Sequence, residues 1–143
     1  MRAHQSLWTT TQGWTGDFNA EADLLLAFGG TEAVTNKSLW NDLAKRHPGA
    51  IVLGCSTGGE IHGADVLDES LSVTSLDFER TKLKSAEARV NSAADSYNAG
   101  EEIGRSLQGA GLKTVFVLSD GTRVNGSELI RGIRAWTGNQ VVI

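Results

Sequence analysis

Three short apolar runs constrain this chain more than any other feature. ADLLLAF (Ala22 to Phe28) has the length and continuity of a strand buried on both faces, AIVLG (Ala50 to Gly54) reads as a second apolar strand and KTVFVL (Lys113 to Leu118) as a third core strand. Each run breaks at once into small or polar residues: Gly29-Gly30-Thr31, then Cys55-Ser56-Thr57-Gly58-Gly59-Glu60, then Ser119-Asp120-Gly121-Thr122. Between the first two runs, Asn36 to Arg46 places Leu39, Trp40, Leu43 and Ala44 on one helical face, and His47-Pro48-Gly49 stops the helix. Strand, helix, strand with short connections is a βαβ unit, and the right-handed crossover makes its strands parallel.

The remaining elements fill out a mixed α/β fold. Leu71 to Glu79 and Lys82 to Asn91, joined by Arg80-Thr81, read as an antiparallel hairpin. Leu71 and Val73 share one parity, Leu76 and Phe78 the other, which a bulge would explain. Asp95 to Leu107 reads as a helix with Tyr97, Gly100, Ile103, Gly104 and Leu107 on one side, ended by Gly109 or Gly111. Asn125 to Trp136 is the best helix, with Asn125 and Glu128 at capping-box spacing and Leu129, Ile130, Ile133 and Trp136 as its apolar face. QVVI at the end opens a further strand. The expected class is α/β: a mixed sheet with a parallel βαβ core and an antiparallel hairpin, helices packed on the sheet.

Composition narrows the partners. The chain has 143 residues, the size of one domain, and carries a formal net charge of -4 with no Lys/Arg stripe. Nucleic acid and anionic membrane are therefore poor partners. The single cysteine makes no internal disulfide, the start lacks a secretory apolar segment, and no run is long enough to span a bilayer. The expectation is a cytoplasmic protein.

Gly54-Cys55-Ser56-Thr57-Gly58 has the form of a hydrolase nucleophile elbow. The elbow needs a helix directly after the serine, and EIHGADVLDES has no helical period. The only later histidine is His62. Cys55 could be a thiolate nucleophile with His62 nearby, or a small side chain at a strand end. A P-loop fails because Glu60-Ile61 stands where Lys and Ser/Thr must be.

A ligand edge is the better reading. If the three runs are parallel strands, their exits share one edge of the sheet, where open α/β proteins hold ligands. Glycine there admits close backbone approach, and Ser and Thr hydroxyls donate or accept. Asp120 and Glu60 could receive an amine, and the helix start at Asn125 and Gly126 could face a carboxylate. The ordinary alternative is that these are turn residues.

GCSTGGEI at Gly54 to Ile61, VLDESLSVTSLDFERT and VFVLSDGTRVNGSELIRGI closely resemble the FIST amino-terminal domain, from about Ala22 to Ile143. Departures are Gly58 where alanine is commoner and a short lead-in, GWTGDFNAE. The resemblance implies a sensory domain of bacterial signalling proteins, binding a small ligand, spanning residues 1–143 and continued by a carboxy-terminal FIST domain beyond the last strand. Ligand residues would be Cys55, Ser56, Thr57, Gly58, Gly59, Glu60, Ser119, Asp120, Asn125 and Gly126. The likeness extends to the nitric-oxide-sensing subgroup, which binds haem and regulates histidine kinases or cyclic-di-nucleotide enzymes. On that variant His62 is the first candidate axial ligand and His47 the second. The competing classes are a cysteine or serine hydrolase-like enzyme using Cys55 or Ser56, and a protein-interaction module without a small ligand.

Overall fold

The computed structural model describes residues 1–18 and 21–143, so Asn19 and Ala20 of the lead-in lie outside the described residues. It forms two compact units, Met1–Leu83 and Lys84–Ile143.

The first unit is built on a mixed five-stranded sheet. Its elements are β1 (Arg2–Thr9), β2 (Gly13–Gly16), β3 (Leu24–Gly29), α1 (Thr31–Thr35), α2 (Lys37–Arg46), β4 (Ile51–Ser56), β5 (Glu60–His62), β6 (Asp65–Leu67) and β7 (Leu71–Asp77). The sheet order is β2-β1-β7-β3-β4, with β5 and β6 forming a separate two-stranded hairpin. As the βαβ pattern requires, β3 and β4 are parallel across the two helices, Leu24 opposite Ile51 through Gly29 opposite Ser56. The Asn36 side chain caps α2 by accepting from the Ser38 N–H at 3.0 Å.

Side chains alternate across a strand, so one face collects every second residue. Leu25, Ala27, Leu71 and Val73 form one face of the sheet and pack against Ala33, Leu39 and Leu43 of the helices. Trp40 covers the margin of this core and donates its indole N–H to the Val34 carbonyl at 2.7 Å. Ala44, expected on the packed face, is exposed.

The antiparallel hairpin exists, but not where the sequence suggested. β7 is a central strand, antiparallel to β1 on one side and to β3 on the other. Both of its edges are therefore occupied, no ladder position remains for Lys82 to Asn91, and that segment has no regular secondary structure. The hairpin of the main sheet is β1–β2 instead, Ser6 opposite Gly16 through Thr9 opposite Gly13. Nor is there a bulge in β7, whose pairing runs without a slip from Leu71 to Asp77. The parity change that suggested one reflects the small buried residues Ser72 and Ser75, which let a central strand carry polar atoms on both faces.

The second unit contains α3 (Ser96–Leu107) and α4 (Gly126–Thr137). Gly100, Gly104 and Gly132 lie between them. A Cβ at Gly100 would overlap the Leu129 carbonyl oxygen, and one at Gly132 would overlap the Tyr97 carbonyl oxygen. The helices thus touch backbone to backbone, with Ala99, Leu129 and Ile133 as the buried apolar residues. Trp136, expected on the buried face, is 38% exposed and lies under the Arg105 guanidinium.

Lys113 to Leu118 was expected as a full core strand, yet it makes only one parallel bridge, Thr114 with Val142. Two backbone bonds support it, Val115 N–H to the Val142 carbonyl at 2.8 Å and Val142 N–H to the Lys113 carbonyl at 3.0 Å. Val115 is buried and Phe116 is 58% exposed, so this run is not covered on both faces. Among the described residues no helix is long and apolar enough to cross a membrane.

Candidate ligand site at the strand exits

Parallel pairing brings the carboxyl ends of β3 and β4 to one edge, and the Thr57 N–H donates to the Gly29 carbonyl at 2.9 Å. Because β7 runs antiparallel to β3, it starts at that same edge, with Leu71 opposite Gly29. The Gly30 N–H donates to the Ser70 carbonyl at 3.0 Å. Three chain segments therefore converge, and Glu60 fastens them. Its side chain is 1% exposed; one carboxylate oxygen accepts from the Thr57 hydroxyl at 2.7 Å. The other accepts from the Ser70 N–H at 3.0 Å and the Ser70 hydroxyl at 2.9 Å. A buried carboxylate is costly without such donors, and bonds to a charged acceptor are the stronger kind.

Backbone strain sits beside this clasp. Glu69, immediately before Ser70, has φ +53°, a left-handed conformation unusual for a residue with a Cβ. A Cβ on Gly30 would lie 3.1 Å from the Glu69 Cα, so the β3 exit has little room for a larger residue.

These contacts change the expected roles. Glu60 is not a free receiver for a ligand amine, because three donors within the protein already occupy it. Cys55, Ser56 and Gly58 are exposed, and Thr57 and Gly59 are partly covered. After Ser56 the chain passes to β5 rather than to a helix, so the geometry of a nucleophile elbow is not built.

The sheet face away from the helices carries a cleft of about 320 Å³, lined by Gln5, Phe28, Gly59, Glu60, Ile61, Ser72 and Thr74. Its floor comes from β1, β3 and β7, and its roof from the β5–β6 hairpin. Two bonds hold the roof down: the Ser72 hydroxyl donates to the Ile61 carbonyl at 3.1 Å, and the Gly63 N–H donates to the Gln5 side-chain oxygen at 3.2 Å. Sequence reasoning missed Gln5, Phe28, Ser70, Ser72 and Thr74. The alternation of small polar residues in SLSVTS was the available signal for the last three.

Ser119, Asp120 and Asn125 lie in the loop leading to α4 and Gly126 is the first residue of that helix; all four are in the second unit and exposed. One Asp120 carboxylate oxygen accepts from the Thr122 N–H at 2.8 Å and the Thr122 hydroxyl at 2.6 Å. These bonds, the hydroxyl first, and the nearby Arg123 hold the Asp120 carboxyl below the usual aspartate range. The Asn125 side chain caps α4 by accepting from the Glu128 N–H at 3.3 Å, while its own N–H donates to the buried Ser96 hydroxyl at 2.9 Å. Asp120 and Asn125 thus order their own loop.

Of the histidines, His62 closes the β5–β6 hairpin opposite Asp65, with its Nδ1 buried. His47 is the buried C-cap of α2, its ring centroid 5.8 Å from that of Phe18. No group of three or more His, Cys, Asp or Glu side chains suited to a metal ion occurs among the described residues.

Glycine-rich exits at the carboxyl edge of parallel strands are where open α/β sheets hold ligands. The FIST N domain family model matches residues 23–143, and the chain belongs to that family, whose members are sensory, ligand-binding domains of signalling proteins. No curated protein and no solved structure matches the chain.

Proposed function

We propose that this chain is a cytoplasmic sensor that binds a small polar ligand at the clasped strand exits of its first unit and passes the change to a signalling partner. A histidine kinase or a cyclic-di-nucleotide enzyme is the kind of partner proposed, with a carboxy-terminal FIST domain acting alongside. The observation that carries this reading is the Glu60 clasp: one buried carboxylate joins the exit of β4 to the residue before β7, and the Gly30 N–H ties the exit of β3 to that same residue. A ligand touching Cys55, Ser56, Thr57, Gly58 or Gly59 would bear on all three segments. Its differential affinity for two arrangements of these segments would shift their populations. The strained Glu69 beside the clasp is where a second arrangement would relax.

The residues of this site do not fit haem. Its cleft is lined mainly by polar side chains and by no histidine, whereas haem requires an axial ligand over a broad apolar pocket. No step here runs through haem or nitric oxide.

The test is thermal melting of the protein across a panel of amino acids and small metabolites, with amide NMR to locate any binder. A ligand that raises the melting temperature and moves the Thr57, Gly58 and Ser70 amides is the expected result. No binder in the panel, with a signalling partner still captured, would replace this reading with an interaction module.

A further inference from the structure

The cleft beneath the β5–β6 hairpin has a hydrogen-bonding pattern of its own. Glu60, the one charged residue lining it among the described residues, is already engaged by Thr57 and Ser70. The remaining polar side chains are neutral, and their spare capacity can be worked out atom by atom. The Ser72 hydroxyl spends its proton on the Ile61 carbonyl and so offers only lone pairs. Gln5 accepts from the Gly63 N–H and approaches Thr74 Oγ1 through Nε2 at 3.5 Å, leaving one Nε2 hydrogen free. Thr74 accepts that contact and keeps its own hydroxyl proton. The cleft thus presents donors at Gln5 and Thr74 and an acceptor at Ser72, with Phe28 as its apolar wall.

We propose that this cleft binds an uncharged planar molecule bearing a primary carboxamide or an equivalent donor–acceptor pair. The carbonyl oxygen of the ligand would accept from Gln5 Nε2 and the Thr74 hydroxyl, and its NH₂ would donate to Ser72 Oγ. The planar body would lie along Phe28. A carboxylate ligand would bring an acceptor to Ser72, which has no proton to give, and would set a negative charge beside Glu60. An ammonium ligand would bring donors to Gln5 and Thr74, which are themselves turned to donate. A carboxylate would find no cationic side chain among the described lining residues and would lose hydration without return. An ammonium is disfavoured only because its donors meet the donors of Gln5 and Thr74, since Glu60 stays negative though hydrogen-bonded. A volume of about 320 Å³ sets the size at that of a small monocyclic compound. This inference rests on the sensor reading above and names the ligand chemistry of a pocket adjoining Gly59 and Glu60.

The probes are benzamide, benzoate and benzylammonium, which share a ring and differ in charge, titrated into the full chain while backbone amides are followed by NMR. Benzamide should give saturable shifts at Gln5, Phe28, Ile61 and Thr74, with neither charged probe doing so. Thr74→Val and Gln5→Leu should each weaken benzamide binding about fivefold to tenfold while the rest of the spectrum shows an intact fold. Phe28→Ala is avoided as a sole test because it can disturb the sheet. Absence of saturable benzamide shifts, equal response to benzoate, or unchanged affinity in both variants would overturn the proposal. The two readings fail separately: a panel ligand that moves Thr57 and Gly58 while benzamide does nothing sinks the amide pocket and leaves the sensor standing.

Discussion

The two units solve the same packing problem with opposite materials. In Met1–Leu83, sheet and helices meet through branched side chains, Leu25, Leu39, Leu43, Leu71 and Val73, and a buried carboxylate ties the loops. In Lys84–Ile143, α3 and α4 meet through missing side chains, Gly100, Gly104 and Gly132, which let carbonyl oxygens approach the facing backbone. Side-chain interlock leaves loops free to carry chemistry, because the core holds without them. Backbone-to-backbone contact leaves almost no freedom, since any added atom must push the helices apart.

The largest effect should therefore come from the smallest addition. Gly132→Ala places a methyl group against the Tyr97 carbonyl and should cost about 3 kcal/mol, read as loss of amide protection along α3 and α4. Gly54→Ala, whose Cβ would overlap the Ala27 carbonyl oxygen between parallel strands, is the matching case in the first unit and should release β4. If Gly132→Ala were neutral, the contrast between the units would collapse. Asn125→Ala sharpens it more gently: losing the cap on α4 should lower stability by about 1 kcal/mol in chemical denaturation. Smallest is the Asp120 loop. Its carboxyl titrates below the ordinary value of about 3.9, so the contribution is present above that pH and is lost as pH falls through the lower folded value. Carbon-detected NMR of the Asp120 side chain would follow this titration, and Thr122→Val should return it toward the ordinary value.

The same contrast explains what could be read from the sequence. ADLLLAF and AIVLG are runs long enough to show themselves, and the apolar spacing of the helices with the Asn125 cap follows from local chemistry, so the βαβ core and the long helices were legible. The pairing of β7 was not, because SLSVTSLD gives no sign that both its edges are taken by strands far away in sequence. β1 was missed for a related reason: in RAHQSLWT the only large apolar residues, Leu7 and Trp8, are adjacent, so the segment shows no period-two apolar pattern. At the site, the glycine loop at Cys55 to Gly59 could be seen, but the role of Glu60 could not. Its partner Ser70 lies ten residues on, and nothing local links them.

Hydrogen exchange of Glu60→Gln and Glu60→Ala against the parent chain tests the clasp most directly. The Gly30, Thr57 and Ser70 amides should lose protection together, by about tenfold or more, while the Leu25 and Val73 amides of the sheet keep theirs. Loosening of Ser70 alone, with Gly30 and Thr57 unmoved in both variants, would contradict the account.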